Sequence, residues 1–577
     1  MDLRKKLLAL FLCTVTAVLC FGCTKQEQVD DTKTYLYVEV YNGGFGAEWL
    51  DGVKTRFETA YADYEVGDKK GVIVKVIKSS YVGASLYDEL ANASSDVYFA
   101  EQVSNYYDFV AKNALLDITD VVTENAYNQN HSVESVLNEN LREFYGVEKD
   151  GKTHYYGLPY GDAFYNLVYD SEFFFNKGLY LTKAYDEASV GTKVTDNYVI
   201  SPIEKNNEKK YAEKVTENGI NYIKTVDGDY LSKGPDGVYG TDDDGTPATY
   251  DEFFSLCDYM VDEAGVKPFI YTGKNPEYVR WFLTQLIADC DGAEAIGRNF
   301  SMSGTADNLI RVNSDGTVEN LPSVTLGNDN RGEIAKSAGR YYAYKFLELM
   351  MRDNGKYLHS ACSGRTTQFD AQETFILSDR DSEKGAFLID GIWWQHEAEG
   401  RNSKIVKNFG DSYKAENKQY KILNLPKISK EKAGKTTLVD TGYQTAMILK
   451  SCPQEKQELA KKLLQFCFTD ESNKEFNAIT GATRPYEYSL TDGEYAKLTP
   501  YAKSVYDLVK SNNTSLIYPV SDSDYYKNKG DLLNPAWMLK TNVEGTDYLN
   551  VIEVIKNKKY TAKQAFDGIY EYYKNRY

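Results

Sequence analysis

The stretch Gly385–Glu399, GAFLIDGIWWQHEAE, decides how the rest of the chain is read. Apolar residues run from Ala386 to Ile389, Asp390 and Gly391 interrupt them, and two adjacent tryptophans lead into a polar segment that can start a helix. The pattern is a strand, a turn and an aromatic step. Adjacent side chains point to opposite faces of a strand, or about 100° apart on a helix, so Trp393 and Trp394 cannot both serve one surface. Either one packs inward while the other faces a cleft, or both are core. A flat indole at the carboxyl end of a strand is well shaped to stack on the apolar face of a ring, because its rigid surface is ordered at small entropic cost.

Working outward toward the amino terminus, residues 35–40, YLYVEV, alternate as a strand does. NGGFGAEW turns the chain, and Trp49, Val53, Phe57, Ala60, Tyr61 and Tyr64 then recur at helical spacing. Val72–Ile77 is a second strand, Leu86–Ala93 a short helix and Asp96–Ala100 a third strand. Strand, helix, strand, helix, strand predicts a doubly wound parallel sheet with right-handed crossovers. Ligands of such sheets lie beyond the carboxyl ends of the strands, which here are the Gly43–Gly46 loop and Glu101–Gln102. GGFG is not GxGxxG, so no dinucleotide is indicated.

From Gly157 the sequence reads GLPYGDAFYNLVYDSEFF, in which Pro159 precedes an alternating strand and Asp170, Ser171 and Glu172 can open a helix. In chain order, SSDVYFAE, GLPY followed by VYD, GAFLIDGIWWQHEA, and the run from Thr441 through the TGATRP turn to Pro485 resemble the extracellular solute-binding proteins of carbohydrate ABC transporters. The similarity covers most of residues 34–490, and the order of the motifs is more specific than any one of them.

The resemblance implies a two-lobed α/β fold of the periplasmic-binding-protein type II class, each lobe a doubly wound sheet flanked by helices, with a ligand cleft between them. Residues 34–157 plus about 436–486 are expected to form lobe I, and 158–435 plus about 487–577 lobe II. Carried over by position, the ligand-binding candidates are Phe45, Glu101, Gln102, Tyr160, Asp162, Trp393, Trp394 and Arg484, and the helix expected at Asn275–Asp289 adds Trp281. Three of them have competing structural roles: Arg484 can bond carbonyls at a helix end, Asp162 can tie a hinge backbone, and Trp281 has a core-like spacing. The function implied is capture of an oligosaccharide or other sugar by lobe closure and delivery to a membrane permease. A secreted glycan-active enzyme and a glycan-binding sensor or adhesin are the alternatives. The expected protein is a monomer, not an enzyme, that requires no cofactor.

The first residues read as a targeting segment. Arg4, Lys5 and Lys6 precede an apolar run, Leu7–Leu19, and Gly22 stands before Cys23. Thirteen apolar residues fall short of the roughly 20 that span a bilayer. The pattern resembles a bacterial lipoprotein signal covering residues 1–22, with Cys20 a departure from the usual Leu, and it implies lipidation of Cys23. Residues 23–33 are then a tether, and the body is held at the outer face of the cytoplasmic membrane. Loss of the leader removes three basic residues and one acidic residue from a chain of net charge −19, leaving −21. Such a charge argues against nucleic acid and against an anionic membrane surface as partners. Of eight cysteines, Cys13 and Cys20 leave with the leader and Cys23 is acylated. The remaining five, Cys257, Cys290, Cys362, Cys452 and Cys467, are scattered and odd in number, and are expected to be buried thiols.

Residues 181–250 read as an insertion. Its loop at 234–246, GPDGVYGTDDDGT, fits either a structural calcium site at Asp236, Asp242 and Asp244 or a solvated acidic turn, and its spacing excludes an EF-hand. Thr249 and Glu252 predict a capping box. Asn275–Asp289 and Ser337–Met351 are predicted helices, with loops over 301–335. After residue 486 a helix, the strand SLIYPV and a last helix capped by Thr561 and Gln564 are expected, the apolar stripe of that helix lying on lobe II. No GxSxG, P-loop, HExxH or histidine cluster occurs.

Overall fold

The computed structural model describes residues 29–79, 86, 92–101, 106–202, 212–442, 444–519 and 535–574. The leader, Cys23, Gln102 and most of the helix expected at 86–93 lie outside them. Strand β1 (Thr34–Tyr41) alternates buried residues with half-buried or exposed ones as its period-two sequence requires. Helix α1 (Leu50–Ala60) buries Leu50, Val53 and Phe57 beneath it, and β2 (Val72–Ser79) and β3 (Val97–Ala100) follow. The chain then reaches β4 (Leu158–Pro159) and crosses to the second lobe through residues 160–164.

That lobe begins with β5 (Tyr165–Asp170), whose six residues are all buried. Asp170 accepts hydrogen bonds from the backbone N–H groups of Glu172 and Phe173 and so starts helix α2 (Ser171–Lys177). The Thr249–Glu252 capping box starts α3 (Tyr250–Asp262), and β6 (Val266–Ile270), α4 (Glu277–Asp291), α5 (Ala338–Met350) and α6 (Gln368–Ile376) come next. The stretch first quoted forms β7 (Lys384–Gly391), buried at seven of its eight positions, and the one-turn helix α7 (Trp394–Glu397). After β8 (Tyr420–Ile422) and β9 (Thr436–Val439) the chain returns to lobe I as β10 (Thr445–Met447), α8 (Gln454–Phe466) and α9 (Asp470–Thr480). Helix α10 (Pro500–Lys510), β11 (Thr514–Ile517) and α11 (Ala562–Tyr573) close the order.

The first sheet has the order β2-β1-β3-β10-β4 and the second β6-β7-β5-β8. β1 runs parallel to β2 and β3, whereas β10 is antiparallel to β3 and β4; in the second sheet β6 and β7 are parallel and β5 and β8 antiparallel to their neighbours. The wholly parallel sheet expected from the amino-terminal pattern is therefore a mixed one. The reason lies in the crossings, which deliver β10 and β5 from the opposite end of their sheets. The crossings also differ from the expected limits by a few residues. Leu158–Pro159 still pairs in the first sheet. Thr436–Val439 is fastened to α4 of lobe II, where Gln285 Nε2 donates to the Thr437 carbonyl (2.6 Å) and Asp289 accepts from the Thr437 N–H (2.9 Å).

Residues 301–335, expected as loops, contain two short antiparallel pairs, Gly304–Ala306 with Val324–Leu326 and Ile310–Val312 with Val318–Asn320. Three-residue strands are too short to show a period. The insertion holds a hairpin, Ala212–Glu217 with Ile220–Thr225. The last helix docks on lobe II, its Phe566 ring 5.6 Å from Tyr341 of α5. Cys257, Cys362, Cys452 and Cys467 are buried free thiols, and Cys290 is free and half-buried. Among the described residues no helix is long and apolar enough to cross a membrane.

Candidate functional site

In the first sheet the chain leaves β1 toward β2 on one side and reaches β3 on the other, so a crevice opens beyond the carboxyl ends of β1 and β3. In the second sheet the carboxyl ends of β6 and β7 and the amino end of antiparallel β5 face the same way, since Gly391 pairs with Tyr165. These two ends meet. The loop after β1 pushes Phe45 across, its ring 5.5 Å from Trp393 and nearly perpendicular to it, 5.3 Å from Phe476 and 6.3 Å from Tyr160. Trp393 in turn meets Tyr165 at 5.3 Å, and Tyr165 meets Tyr278, in the first turn of α4, at 5.3 Å. Gly391 makes the aromatic step: a Cβ there would lie 2.4 Å from Cζ2 of Trp393, so only glycine lets the indole fold back over the strand end.

The two tryptophans thus part company. Trp393 remains 8 % exposed at the junction between lobes, whereas Trp394 is fully enclosed by Phe375, Tyr420 and Tyr501 in the core of lobe II and does not face the cleft. Tyr160 is 2 % exposed and stacks at 22° on Trp49 beneath Phe45. It forms the floor under the aromatic step.

Carboxylates surround these rings. Glu101 stands at the end of β3, Asp390 near the end of β7 and Glu397 in α7. Gln372 of α6 donates to both Asp390 (3.1 Å) and Glu397 (2.8 Å), and the Gly44 N–H of lobe I donates to Glu397 (3.4 Å). Gly44 lies between two acids, because a Cβ on it would be 3.0 Å from Oε1 of Glu101. Burial, reinforced by Glu397, holds the Glu101 and Asp390 carboxyls well above the usual carboxylate range. Burial raises Glu397 as well, against its bonds from Gln372 and Gly44. At the rim, His396 Nε2 lies 3.2 Å from Glu48 Oε2, a second contact between lobes. Burial would raise Glu48 too, but bonds from Lys78 and from the N–H groups of Glu48 and Ala47 outweigh it and hold the carboxyl at about 2.

Other predicted residues serve the frame. Arg484 is 1 % exposed, with Nη1 donating to the Cys467 carbonyl (2.7 Å) and to Asn473 (3.1 Å) and its guanidinium over Phe476 and Trp49 at 4.2 and 4.7 Å. It supports the platform from behind and does not reach the cleft face. Asp162, at the crossing, accepts from Thr483 Oγ1 and the Tyr518 hydroxyl, each at 2.6 Å, and its N–H donates to the Thr483 carbonyl. It is a hinge tie. Trp281, one turn beyond Tyr278, is half-buried with Arg280 over its ring at 5.0 Å. Gln102 lies outside the described residues.

The acidic loop closes on itself. Asp243 accepts from the Asp236 N–H (3.0 Å) and Asn424 (2.9 Å), Asp244 from the N–H groups of Gly240 (2.7 Å) and Thr241 (3.2 Å), while Asp242 lies 3.6 Å from Lys421. Among the described residues no three His, Cys, Asp or Glu side chains are grouped so as to hold a metal, and Asp236, Asp242 and Asp244 do not form such a group. The repeated Asp residues satisfy backbone N–H groups of successive tight turns, a role that their spacing alone does not separate from metal ligation.

Tyr41, Tyr165, Tyr278, Glu48, Gln372, Asp390, His396 and Glu397 were not among the sequence candidates. Three of them stand inside the stretch first quoted, where Asp390 reads as a strand breaker and His396 and Glu397 as the start of a helix. The signal that could have found these three is their position, at or just beyond the carboxyl end of the buried strand β7.

No family model matches the sequence, and no curated protein matches it. Among solved structures, a chitin oligosaccharide binding protein superposes with a TM-score of 0.50 at 12 % identity over 94 % of this chain and 98 % of its own. A binding protein of an ABC transporter from Bifidobacterium animalis subsp. lactis, solved with mannobiose, gives 0.50 at 14 % over 95 % and 97 %. A protein from a study of xylan utilization by Caldanaerobius polysaccharolyticus gives 0.51 at 12 % over 94 % and 100 %. The fold is that of the two-lobed solute-binding proteins.

Proposed function

We propose that this chain, built on the two-lobed fold of the solute-binding proteins of carbohydrate ABC transporters, captures a sugar at the junction of its lobes and presents it to a membrane permease. One observation carries the reading: the loop ends of both sheets converge on a single set of rings and hydrogen-bonding carboxyls, with Phe45 and Glu101 from lobe I opposite Trp393, Asp390 and Glu397 from lobe II. Rings of this kind stack on the apolar face of a pyranose, and carboxyls bond its hydroxyls. The similar structures that bind chitin oligosaccharide and mannobiose support the ligand class.

The crossings at 160–164 and 440–442 are the hinge of this reading. They lie side by side, tied by bonds from the Ala163 N–H to Asp440 and from the Thr441 N–H to the Ala163 carbonyl. Closure is selected by contacts made only when the lobes meet, and the Phe45–Trp393, Gly44–Glu397 and Glu48–His396 pairs are of that kind. In the same reading the protein is a monomer without catalytic activity or cofactor. It is held at the outer face of the cytoplasmic membrane by lipid on Cys23 and works with permease subunits. The test is calorimetric titration of the chain from residue 24 onward with mono- and oligosaccharides, followed by analysis of the sugar recovered. Binding with the sugar unchanged supports a receptor. Cleavage would establish an enzyme, and failure of every sugar to bind would remove the carbohydrate assignment.

A further inference from the structure

Several buried acids elsewhere in this chain have a basic partner, and others, Asp162, Asp243 and Asp244, are met by hydrogen-bond donors. Asp289 pairs with Lys427, Asp170 with Lys418, Asp96 with Lys456 and Glu252 with Lys430. Burying a carboxylate is costly unless a cation or hydrogen-bond donors compensate, so these pairings are expected. At the junction Asp390 and Glu397 are met by neutral donors, and Glu101, among the described residues, by neither a cation nor a donor. Among the described residues no lysine, arginine or histidine forms an ion pair with Glu101, Asp390 or Glu397, and Lys78 and His396 both lie on Glu48 at the rim.

Glu101 is the most anomalous of the three. It is 9 % exposed, and among the described residues nothing donates to its carboxyl. The walls facing these acids are aromatic: Trp393, Tyr165 and Tyr278 form a continuous edge-to-face series. Ring faces carry negative potential, so they attract the same charge that the carboxyls do.

We propose that the junction takes a ligand bearing a positive charge, an amino sugar with a free ammonium group. This rests on the reading of the junction as the sugar site. An ammonium has three N–H donors and a full positive charge, so it bonds ionised carboxylates more strongly than a neutral hydroxyl does. In the empty protein burial pushes protons onto these acids, and a bound ammonium replaces the protons with a compensating charge.

The test is calorimetric titration, at mildly acidic pH, of the chain from residue 24 onward, which contains every described residue. The β-1,4 dimer of glucosamine, its N,N′-diacetyl form and cellobiose share a skeleton and differ in ammonium, acetamide and hydroxyl at C2; putrescine provides an amine without a sugar. The glucosamine dimer is expected to bind at least about tenfold more tightly than either neutral dimer. Glu101→Gln should weaken it about tenfold, a larger loss than either neutral dimer suffers, with the melting temperature of the empty protein undiminished. Equal or tighter binding of a neutral dimer overturns the charge assignment and leaves the sugar reading intact. Putrescine binding without any sugar supports the charge assignment and overturns the sugar reading. If no amine binds at about 10 mM, the charge assignment fails.

Discussion

The two tryptophans of the central stretch allow a sharp separation of stability from recognition. Trp394 has no exposed surface and three edge-on ring neighbours, all within lobe II. Deleting a buried aromatic of this kind costs about 3–5 kcal/mol, so Trp394→Ala should lower the stability of the lobe by that amount. Trp393 meets one ring of its own lobe and one of the other. An edge-to-face pair contributes about 0.5–1.5 kcal/mol beyond its buried area, and the Phe45 pair exists only when the lobes are together. Trp393→Ala should therefore shift the closing equilibrium by a factor of roughly 2 to 12. Apparent affinity falls by the loss of the closed fraction, in addition to lost stacking on the ligand. The assay is a double-mutant cycle on ligand affinity with Phe45→Ala, Trp393→Ala and both, beside denaturant unfolding of each variant and of Trp394→Ala. A coupling of about 0.5–1.5 kcal/mol between Phe45 and Trp393 is expected, with none between Phe45 and Trp394. Zero coupling in the first cycle, or a Trp394→Ala protein of unchanged stability and lost affinity, would refute the assignment.

The remaining expectations concern closure, hinge and loop. Glu101, Asp390 and Glu397 are raised above their ordinary values of 4.5, 3.8 and 4.5, so their protonated forms favour the closed empty state below about pH 4 and that contribution is lost as pH rises through the raised values. Glu48, held at about 2, acts in the opposite sense, its contribution being present above 4.5 and lost toward pH 2. Facing these acids are Tyr41, Tyr165 and Tyr278, with Lys78 and His396 at the rim. The radius of gyration of the empty protein should thus increase as pH rises above about 4.5, and a flat profile, or one unaltered by Glu101→Gln, speaks against the trio. Asp162→Ala leaves the hydroxyls of Thr483 and Tyr518 without their acceptor and should cost about 1–3 kcal/mol in chemical unfolding; an unchanged unfolding midpoint would show that the hinge does not depend on it. Because the acidic loop satisfies its own backbone groups, adding calcium or a chelator should leave the melting temperature unchanged, and a calcium-dependent rise would restore the metal assignment.

What the sequence showed, and what it hid, follows from the range of the interactions. Helix starts were legible because a cap is a contact over three residues: Asp170, the Thr249–Glu252 box and the Thr561–Gln564 box all stand where their patterns place them. Central strands were legible because burial on both faces gives an unbroken apolar run, as in β7. The antiparallel partners of those strands were not, since β10 and β5 arrive by lobe crossings and direction leaves no local trace. Site residues divide in the same way. Phe45, Glu101 and Trp393 follow from the rule that ligands lie beyond strand ends. Trp394 fails because the strand ends at Gly391 and a helical turn begins at Trp394, and that turn rotates the second indole into the lobe. Arg484 fails because the sequence cannot show that Trp49, Phe468 and Phe476 come together behind it. Asp390 and Glu397 went unrecognised because each looks locally like a breaker or a helix start. Their significance comes from Glu101, nearly three hundred residues earlier in the chain, and from the lack of an ion pair to any of the three among the described residues. Whether a buried acid has a partner can be judged only once both lobes are present, because Glu101 stands on one and Asp390 and Glu397 on the other.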